Sequence, residues 1–570
     1  MAVRIQDLEG MQYPRDGSPF EQKDYAYFNV QYATSTHQQD HNMNPALIVQ
    51  PKGDDDIIKT IKYAISKNIA VAVKSGGHQY SGASSTGGKN IQLDLTNTYK
   101  DMMAYNPIGL LGKTYVLAGV SNYLKDFNAY LAHNGLFVPH GQCAYVCVGG
   151  HAQTGGYGQL GRSFGLFGDY IRRIRIINHK AEVQELTPEH DSELFWAIMG
   201  GSPGNFGIIT HYVVEVFKAS DYMGKVPGPN GFKGPHGLKG LWLYTPEVLK
   251  KLLTIVAKMS DNAEFPRNYD LCVNVLSTDF PVTLLFPELK DASLWEKIQR
   301  KIKRALTDEF LKFLNGTFPA IIVVYAQWCP VNPDTDRYDT TVDNWFKQFR
   351  NLESLFEDRA LSVTEWDLDM AKMTGQWIFP KAREFDLPYV KRTYATSKRN
   401  LSTNNYVDTV VSRLDLIYNP DQWINGKPGE KNFERYMRLK LSVQIQNYGG
   451  NHAKFYTNRN NGTSFSWRDT SMVQTLDCFH NPDQDSKDYA EKWAAKNDDL
   501  MNSASGVFSP GADKRVLWGS WGDWNLGDEN VWERYYEDLE KYRRIGKQRA
   551  VADPEGTFTP NPFAVTAHSE

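Results

Sequence analysis

From Ile69 to Val73 the chain is continuously apolar and rich in β-branched residues, and it passes without a spacer into Lys74-Ser75-Gly76-Gly77-His78. Such a run reads as a buried strand. The glycine pair is therefore predicted at a strand's carboxyl end, where α/β folds bind their ligands. The flanking text has the same pattern. Leu47-Ile48-Val49 is a short apolar run stopped by Pro51 and Gly53. Asp54-Asp55-Asp56 then supply a predicted N-cap and acidic first turn for a helix whose Ile57, Ile58, Ile61 and Ile65 share one stripe. Ile91, Leu93 and Leu95 alternate with polar residues, as in a half-buried strand. Ser121 is the predicted cap of a further helix with Leu124, Phe127 and Leu131 on its inner face and Gly135 at its end. Strands and helices thus alternate around glycine turns from about residue 47 to 215.

A length of 570 residues exceeds the ~250–300 at which single cores stop growing, which predicts two domains. Beyond residue 216 the pattern changes. Pro227, Gly228, Pro229 and Gly231 read as a linker, and Leu294-Trp295 through Leu311 as a long amphipathic segment. Leu441, Val443 and Ile445 alternate with Ser442, Gln444 and Gln446, so both glutamines share one face of a strand ending at Tyr448-Gly449-Gly450. We read 216–504 as a sheet backed by helices, and the remaining residues as short pieces ending in Asp553-Pro554.

The net charge of −3, from 63 basic and 66 acidic residues, provides no positive field to recruit nucleic acid or an anionic membrane. No apolar run approaches the ~18 residues of a membrane span. The expected partner is a small molecule. Five cysteines, at 143, 147, 272, 329 and 478, are too few and scattered for a disulfide framework. Cys143 and Cys147 lack a second pair to complete a zinc site. Sequons at Asn315, Asn400 and Asn461 leave secretion open, so no compartment follows.

Consecutive glycines let backbone amides converge on an anion, each worth roughly 0.5–1.5 kcal/mol net. Gly76-Gly77, Gly149-Gly150 and Gly155-Gly156-Tyr157-Gly158 are three such places. Two carry a reactive neighbour: His78 follows the first pair, and Cys143 stands eight residues before His151, which closes the second.

These stretches resemble the flavoprotein oxidases typified by vanillyl-alcohol oxidase, which have a PCMH-type FAD-binding domain, and within them the berberine-bridge-enzyme-like branch that includes oligosaccharide oxidases. The resemblance implies a two-domain α+β fold. An FAD-binding domain would span residues 1–215 and be completed by a returning segment, 505–570; a substrate domain, an antiparallel sheet backed by helices, would span 216–504. It further implies FAD bonded twice, through His78 to the 8α-methyl and through Cys143 to C6 of the ring. Cys147 is the competing thiol. By the same resemblance Lys74, Ser75, Gly76, Gly77 and Gln79 hold cofactor at the first anchor, and Val148, Gly149, Gly150, His151, Gly155, Gly156 and Gly158 at the second. Gly207, Ile208, Trp518, Ser520 and Asn561 complete the set.

The active-site candidates are Tyr80, Gln444, Gln446 and Trp521. In relatives the proton acceptor is a tyrosine of a C-terminal motif or a carboxylate three residues before the Gly-Gly of the substrate strand. Trp521 and Gln446 stand there in this chain, and neither an indole nor a carboxamide accepts a proton near neutral pH. Tyr80, Tyr448, His452 and His480 are the substitutes on offer. A small Val148 accompanies oxidase behaviour in the family. The expectation is a monomer that takes a hydride from an alcohol of sugar or secondary-metabolite type and reduces O2 to hydrogen peroxide. Oxidative cyclisation, another electron acceptor, or flavin binding without the usual base remain open alternatives.

Overall fold

The strand that runs into the first glycine pair lies in a small sheet. A computed structural model describes residues 2–31, 36, 42–106, 112–228, 231–276, 296, 320–379, 387–397, 400–418, 439–502, 506–507, 515–517 and 525–568. Strands β1 (Met11–Pro14), β2 (Leu47–Gln50), β3 (Val71–Lys74) and β4 (Ile91–Asp94) lie in the order β1-β2-β4-β3. β4 runs parallel to β2 and β3, and β1 is an antiparallel edge. The helix Asp54–Lys67 buries Ile57, Ile61 and Ala64 against this sheet's core. Its N-cap is Gly53, not Asp54. Asp54 is drawn off by Arg175 and the Tyr99 hydroxyl, and Asp56 accepts the amides of Glu9, Gly10 and Lys52.

A second, antiparallel sheet contains β5 (Met102–Tyr105), β6 (Thr114–Gly119), β7 (Leu136–Phe137), β8 (Ile171–Ile177), β9 (Val183–Leu186) and β10 (Ile208–Lys218), in the order β5-β6-β10-β8-β9 with β7 also on β10. Both sheets share one apolar core, to which the C-terminal residues Trp532, Tyr542, Ile545, Phe558 and Phe563 also contribute. The helix Leu124–His133 buries Leu124, Phe127 and Leu131 as its periodicity predicts, but Ser121 does not cap it. The Ser121 hydroxyl donates to Leu95 O. The first amides of the helix, Leu124 N–H and Lys125 N–H, bond instead to Val146 O (2.8 Å) and Ala144 O (3.0 Å).

The third sheet has seven strands, antiparallel throughout: β11 (His236–Leu243), β12 (Tyr269–Leu276), β13 (Ile321–Trp328), β14 (Ala360–Asp367), β15 (Tyr389–Thr396), β16 (Lys440–Asn447) and β17 (Met472–Phe479), ordered β14-β11-β13-β12-β16-β17-β15. The alternation read in β16 is present: Leu441, Val443 and Ile445 join Val273, Val275 and Leu476 in the core under the helices Pro246–Asp261 and Thr340–Leu355. Full burial of a residue such as Leu249 or Leu252 contributes about 1.5–3 kcal/mol. The segment 294–311 and Pro229 lie outside the described residues, apart from position 296.

Polar clasps hold the third sheet to the other two. The buried Arg162 guanidinium donates to the carbonyls of Gly449, Pro266, Tyr269 and Phe265 at 2.7–3.0 Å. The Arg162 and Ser163 amides and the Ser163 hydroxyl all donate to Asp270. Burial outweighs these donors and pushes the Asp270 carboxyl up to about 6. Asp169, fully buried, takes two bonds from Arg468 (2.9 and 2.8 Å) and one each from Asn458, Asn461 and the Leu166 amide.

Arg468→Met leaves Asp169 without its counter-charge, and a loss of about 3–5 kcal/mol is expected. Pairing it with Asp169→Asn should return part of that loss in urea unfolding. A single variant as stable as the parent would show that the pair holds nothing.

Candidate functional site

The two glycine stretches pack directly on each other. A Cβ on Gly76 would lie 2.7 Å from Cys147 Sγ, and one on Gly149 would lie 2.9 Å from Val120 Cβ and 3.1 Å from Ser75 Oγ. Only residues without side chains permit that approach. The second pair is not the turn its sequence suggests. Gly149 and Gly150 open the short helix Val148–Gln153, and neither has positive φ. Their role is proximity: Gly149 admits Ser75, and Gly150 has open space where a Cβ would be.

Over this junction lies a cavity of about 220 Å³. Ser75, Gly76, Gly77, His78 and Gln79 line it from one loop, and Gly141, Gln142, Cys143, Gly149, Gly150 and His151 from the other. It extends past Gln153, Thr154, Pro203 and Gly204 to Gly207 and Ile209. The opposite wall is the polar face of the third sheet. Strand register arranges that face in rows. Lys391, Asp477, Ser442 and Leu276 form one row, Thr475, Gln444, Asn274 and Val323 the next, and Gln446, Cys272 and Tyr325 a third. The first two rows and Tyr325 line the cavity.

The two candidate thiols differ in setting. Cys143 is half-buried and lies in a stretch paired across to Phe379, with Ala144 N–H on Phe379 O (3.1 Å) and Phe379 N–H on Gln142 O (2.6 Å). Cys147 also lines the cavity but is buried against Gly76, its thiol is directed at Ser121 O (3.5 Å), and burial pushes it up to about 12. At neutral pH it is a thiol, not a nucleophilic thiolate. His151 is neutral: its Nε2 accepts the Gly141 amide (2.9 Å), which puts the proton on Nδ1, and burial, with His140 and His78 nearby, lowers it to about 3.

Several expected residues stand behind the wall rather than in it. Lys74 makes a buried ion pair with Asp94 (3.1 Å) and donates to Phe28 O. Gln79, which does line the cavity, accepts the Ala83 amide and donates to Ser84. Asn561 donates to Gly82 O and Ser85 O of the same loop. Val148 is fully buried, and Ile208 begins β10 beneath the wall. Gly155, Gly156 and Gly158 pack on Tyr157, Phe167 and His140 O. Trp518, Ser520 and Trp521 lie outside the described residues.

Of the substitute proton acceptors Tyr80, Tyr448, His452 and His480, Tyr448 lines the cavity and the others do not. Gln446 donates to Gly158 O (2.8 Å) and accepts from Gln444 (3.3 Å) and from the Tyr448 hydroxyl (2.6 Å). Tyr448 is thus a donor, and burial raises it well above the ordinary tyrosine value. The Tyr80 hydroxyl sits between Tyr389 O (3.4 Å) and the Lys391 amide (3.3 Å). His452 is exposed and pairs with Glu264, while His480 faces Asn481 O and lies away from the cavity. The sequence reading missed Asn274, Tyr325, Phe379, Lys391, Thr475 and Asp477. Polar residues alternating with apolar ones in β12 and β17 were the available signal.

The wall fits FAD. It offers glycine residues and neutral polar groups, and among the described residues it presents no carboxylate on the glycine side to repel a pyrophosphate. Two predictions follow from the glycine junction. Gly76→Ala should cost roughly 1–3 kcal/mol through overpacking, with part restored by Cys147→Ala in a double-variant cycle read by urea unfolding. The unfolded His151 takes up its proton near pH 6.5 and the folded one only near 3. Stability is therefore lost as pH falls through that window, by up to about 1.4 kcal/mol per pH unit. His151→Gln, which keeps an acceptor for Gly141, should flatten the melting temperature between pH 6.5 and 4; an unchanged slope would contradict the buried neutral imidazole.

Residues 45–187 match the family model of an FAD binding domain. A berberine bridge enzyme-like protein of Arabidopsis thaliana is 29% identical over 278 residues, 44% of this chain and 45% of that one. The chain spans about half or less of the length of the curated relatives first matched. A berberine-bridge-enzyme-like protein from Physcomitrella patens shares the fold over 99% of this chain and 98% of its own, with a TM-score of 0.65 at 13% identity. A glucooligosaccharide oxidase from Acremonium strictum, a protein with a 6-S-cysteinyl, 8α-N1-histidyl FAD, does so over 98% of each chain, with a TM-score of 0.64 at 13% identity. The matched domain, the relatives over it and the shared architecture agree: residues 45–187 form an FAD binding domain, similar in sequence to that of berberine-bridge-enzyme-like proteins, within a fold that the whole chain shares with them.

Proposed function

We propose that the chain is an oxidase that removes a hydride and a proton from an alcohol of sugar or secondary-metabolite type, with FAD bonded through His78 and Cys143 and O2 reduced to hydrogen peroxide. The observation that carries this reading is that His78 and Cys143, on loops far apart in sequence, line one cavity facing a polar sheet. Ser75–Gln79, Gly141–Cys143 and Gly149–His151 would hold the ring, and Gln153 to Gly207 the remainder. Bound FAD supplies the two-electron acceptor that no side chain can. The protein orients both partners. Gln142 is bonded to Gln444 (3.2 Å) and Gln159 (3.0 Å), and Gln159 reaches Tyr325 O (2.9 Å), so the loop bearing Cys143 is fixed to the wall that receives substrate.

One observation favours a second reading: Gln446 occupies the proton acceptor's usual place with its hydrogen-bonding groups engaged. A flavin-binding protein whose catalytic role has lapsed or become specialised would fit that site. Failure of every sugar, phenol and alkaloid in a peroxide screen, with normal photoreduction of the flavin, would select it.

Acid-precipitated protein is expected to keep its yellow colour in the pellet. Mass spectrometry should find both links in the parent, only the thioether in His78→Ala, only the histidyl link in Cys143→Ala, and both in Cys147→Ala. Flavin released intact by acid sinks the covalent reading, and loss of the thioether in Cys147→Ala would move it to the other thiol.

A further inference from the structure

His236 opens β11, and both nitrogens of its ring meet carboxylates of the edge strand β14: Nδ1 lies 2.7 Å from Asp367 Oδ1 and Nε2 2.6 Å from Glu365 Oε2. Asp367 is its cross-strand partner, and Glu365 stands two residues earlier. A neutral imidazole has one N–H, so only the imidazolium donates to both. The ring is 9% exposed and packs on Tyr338 and on Phe346 of the helix Thr340–Leu355, with ring centres 4.9 and 4.5 Å away. Burial opposes the charge, but the bonds and charges of Glu365 and Asp367 outweigh it and hold His236 above the usual histidine value of 6.5. None of these residues lines the cavity.

The two carboxylates are unequally secured. Glu365 also accepts from Arg350 at 3.2 and 3.0 Å, and Arg350 bonds in turn to Asp343, which takes the Tyr338 hydroxyl (3.1 Å). Lys347, on the same helix, adds a positive charge near Asp343. Trp328, the β13 partner of His236, is uncharged, and Lys239 lies on the opposite face of β11 over Tyr325. Among the described residues the Asp367 carboxylate has His236 as its one partner. Loss of the Nδ1 proton therefore sets a ring lone pair against Asp367, while Glu365 keeps Arg350. Asp367 also begins a run that ends beside Cys143. Leu368 N–H bonds to Pro235 O (3.3 Å), and Asp369 caps the helix Met370–Gln376. That helix packs on Gly237, next to His236, where a Cβ would lie 2.4 Å from Met373 Sδ. Phe379 then exchanges two backbone bonds with Gln142 and Ala144. The start of β11 thus seats the run from Asp367 to Phe379, and His236 is its charged fastening.

We propose that the His236 imidazolium is a positioning group for the Cys143 loop: bridging Glu365 and Asp367, it holds the run from Asp367 to Phe379 in place, and loss of its proton releases Asp367 and loosens Phe379 from Gln142 and Ala144. The fastening is complete below pH 6.5 and is lost as pH rises through the higher value of the folded state. The loop therefore loosens on the alkaline side of neutral, whereas the buried His151 is felt as pH falls. In the loosened state the thiol of Cys143 loses its fixed place in the cavity wall. Its meaning for a thioether rests on the flavin reading above; the loosening itself does not.

The test is peptide-resolved hydrogen exchange of the full chain between about pH 6 and 9.5, corrected for intrinsic rates, on the protein as purified and on Cys143→Ala, which no thioether can restrain. Protection of peptides covering 368–379 and 141–147 should fall roughly fivefold across that range relative to peptides of β16. His236→Gln, which cannot carry the charge, should show the loosened level at every pH. His236→Lys, which keeps a charge to about pH 10, should restore protection throughout. If the His236 variants fail to fold, Asp367→Ala removes the partner from the other side and should give the same flat, loosened profile. Three outcomes overturn the proposal: a flat profile in the parent, a His236→Gln profile like the parent's, or protection lost equally from β16, which would make the cluster a support of the sheet alone. A colourless chain that loosens as expected would uphold the switch and overturn the flavin reading instead.

Discussion

The close approach of Ser75-Gly76 to Cys147 and Gly149 is the constraint on which the rest of the site depends. Two loops from different parts of the sequence meet at distances that tolerate no Cβ. That contact sets His78 on one side of the junction and Cys143 on the other, opening into the same space. A side chain at either glycine would press on Cys147, or on Val120 and Ser75, and the loops would have to shift to admit it. The glycines act here through the room they leave, more than through the unusual backbone angles that their pairing suggests.

The third sheet completes the site by register. Strands β12, β15, β16 and β17 contribute one to three polar residues each to that face, and only antiparallel pairing brings them together. Lys391 meets Asp477 because β15 pairs with β17, and Gln444 meets Asn274 because β16 pairs with β12. The glutamine chain from Tyr448 through Gln446 and Gln444 to Gln142 runs from that face to the loop bearing the thiol.

Local pattern made the strand into Lys74 and the alternation of β16 legible in the sequence, because each is written in a few adjacent residues. The helix starting at Leu124 was legible, but its cap was not. Ser121 is drawn to Leu95 O, and carbonyls twenty residues downstream satisfy the helix amides, a choice that only the tertiary fold makes. Lys74 looked like a cofactor cation from its motif, but the buried Asp94 on the neighbouring strand claims it. Lys391 and Asp477 were illegible for a similar reason. Lys391 stands beside Arg392 in β15 and Asp477 is the one charged residue of β17, and the pair exists only in the register between the two strands.

Pairing of the Cys143 stretch with Phe379 has a consequence for the order of events in the life of the chain. The backbone beside the thiol bonds to a residue made long after it, in the part of the chain that also builds the third sheet. That wall is unfinished while the nascent glycine-rich half stands alone. Binding that needs both the glycine loops and that wall must therefore wait until the later half has been synthesised and has docked, which makes completion of the site a report on completion of the whole molecule.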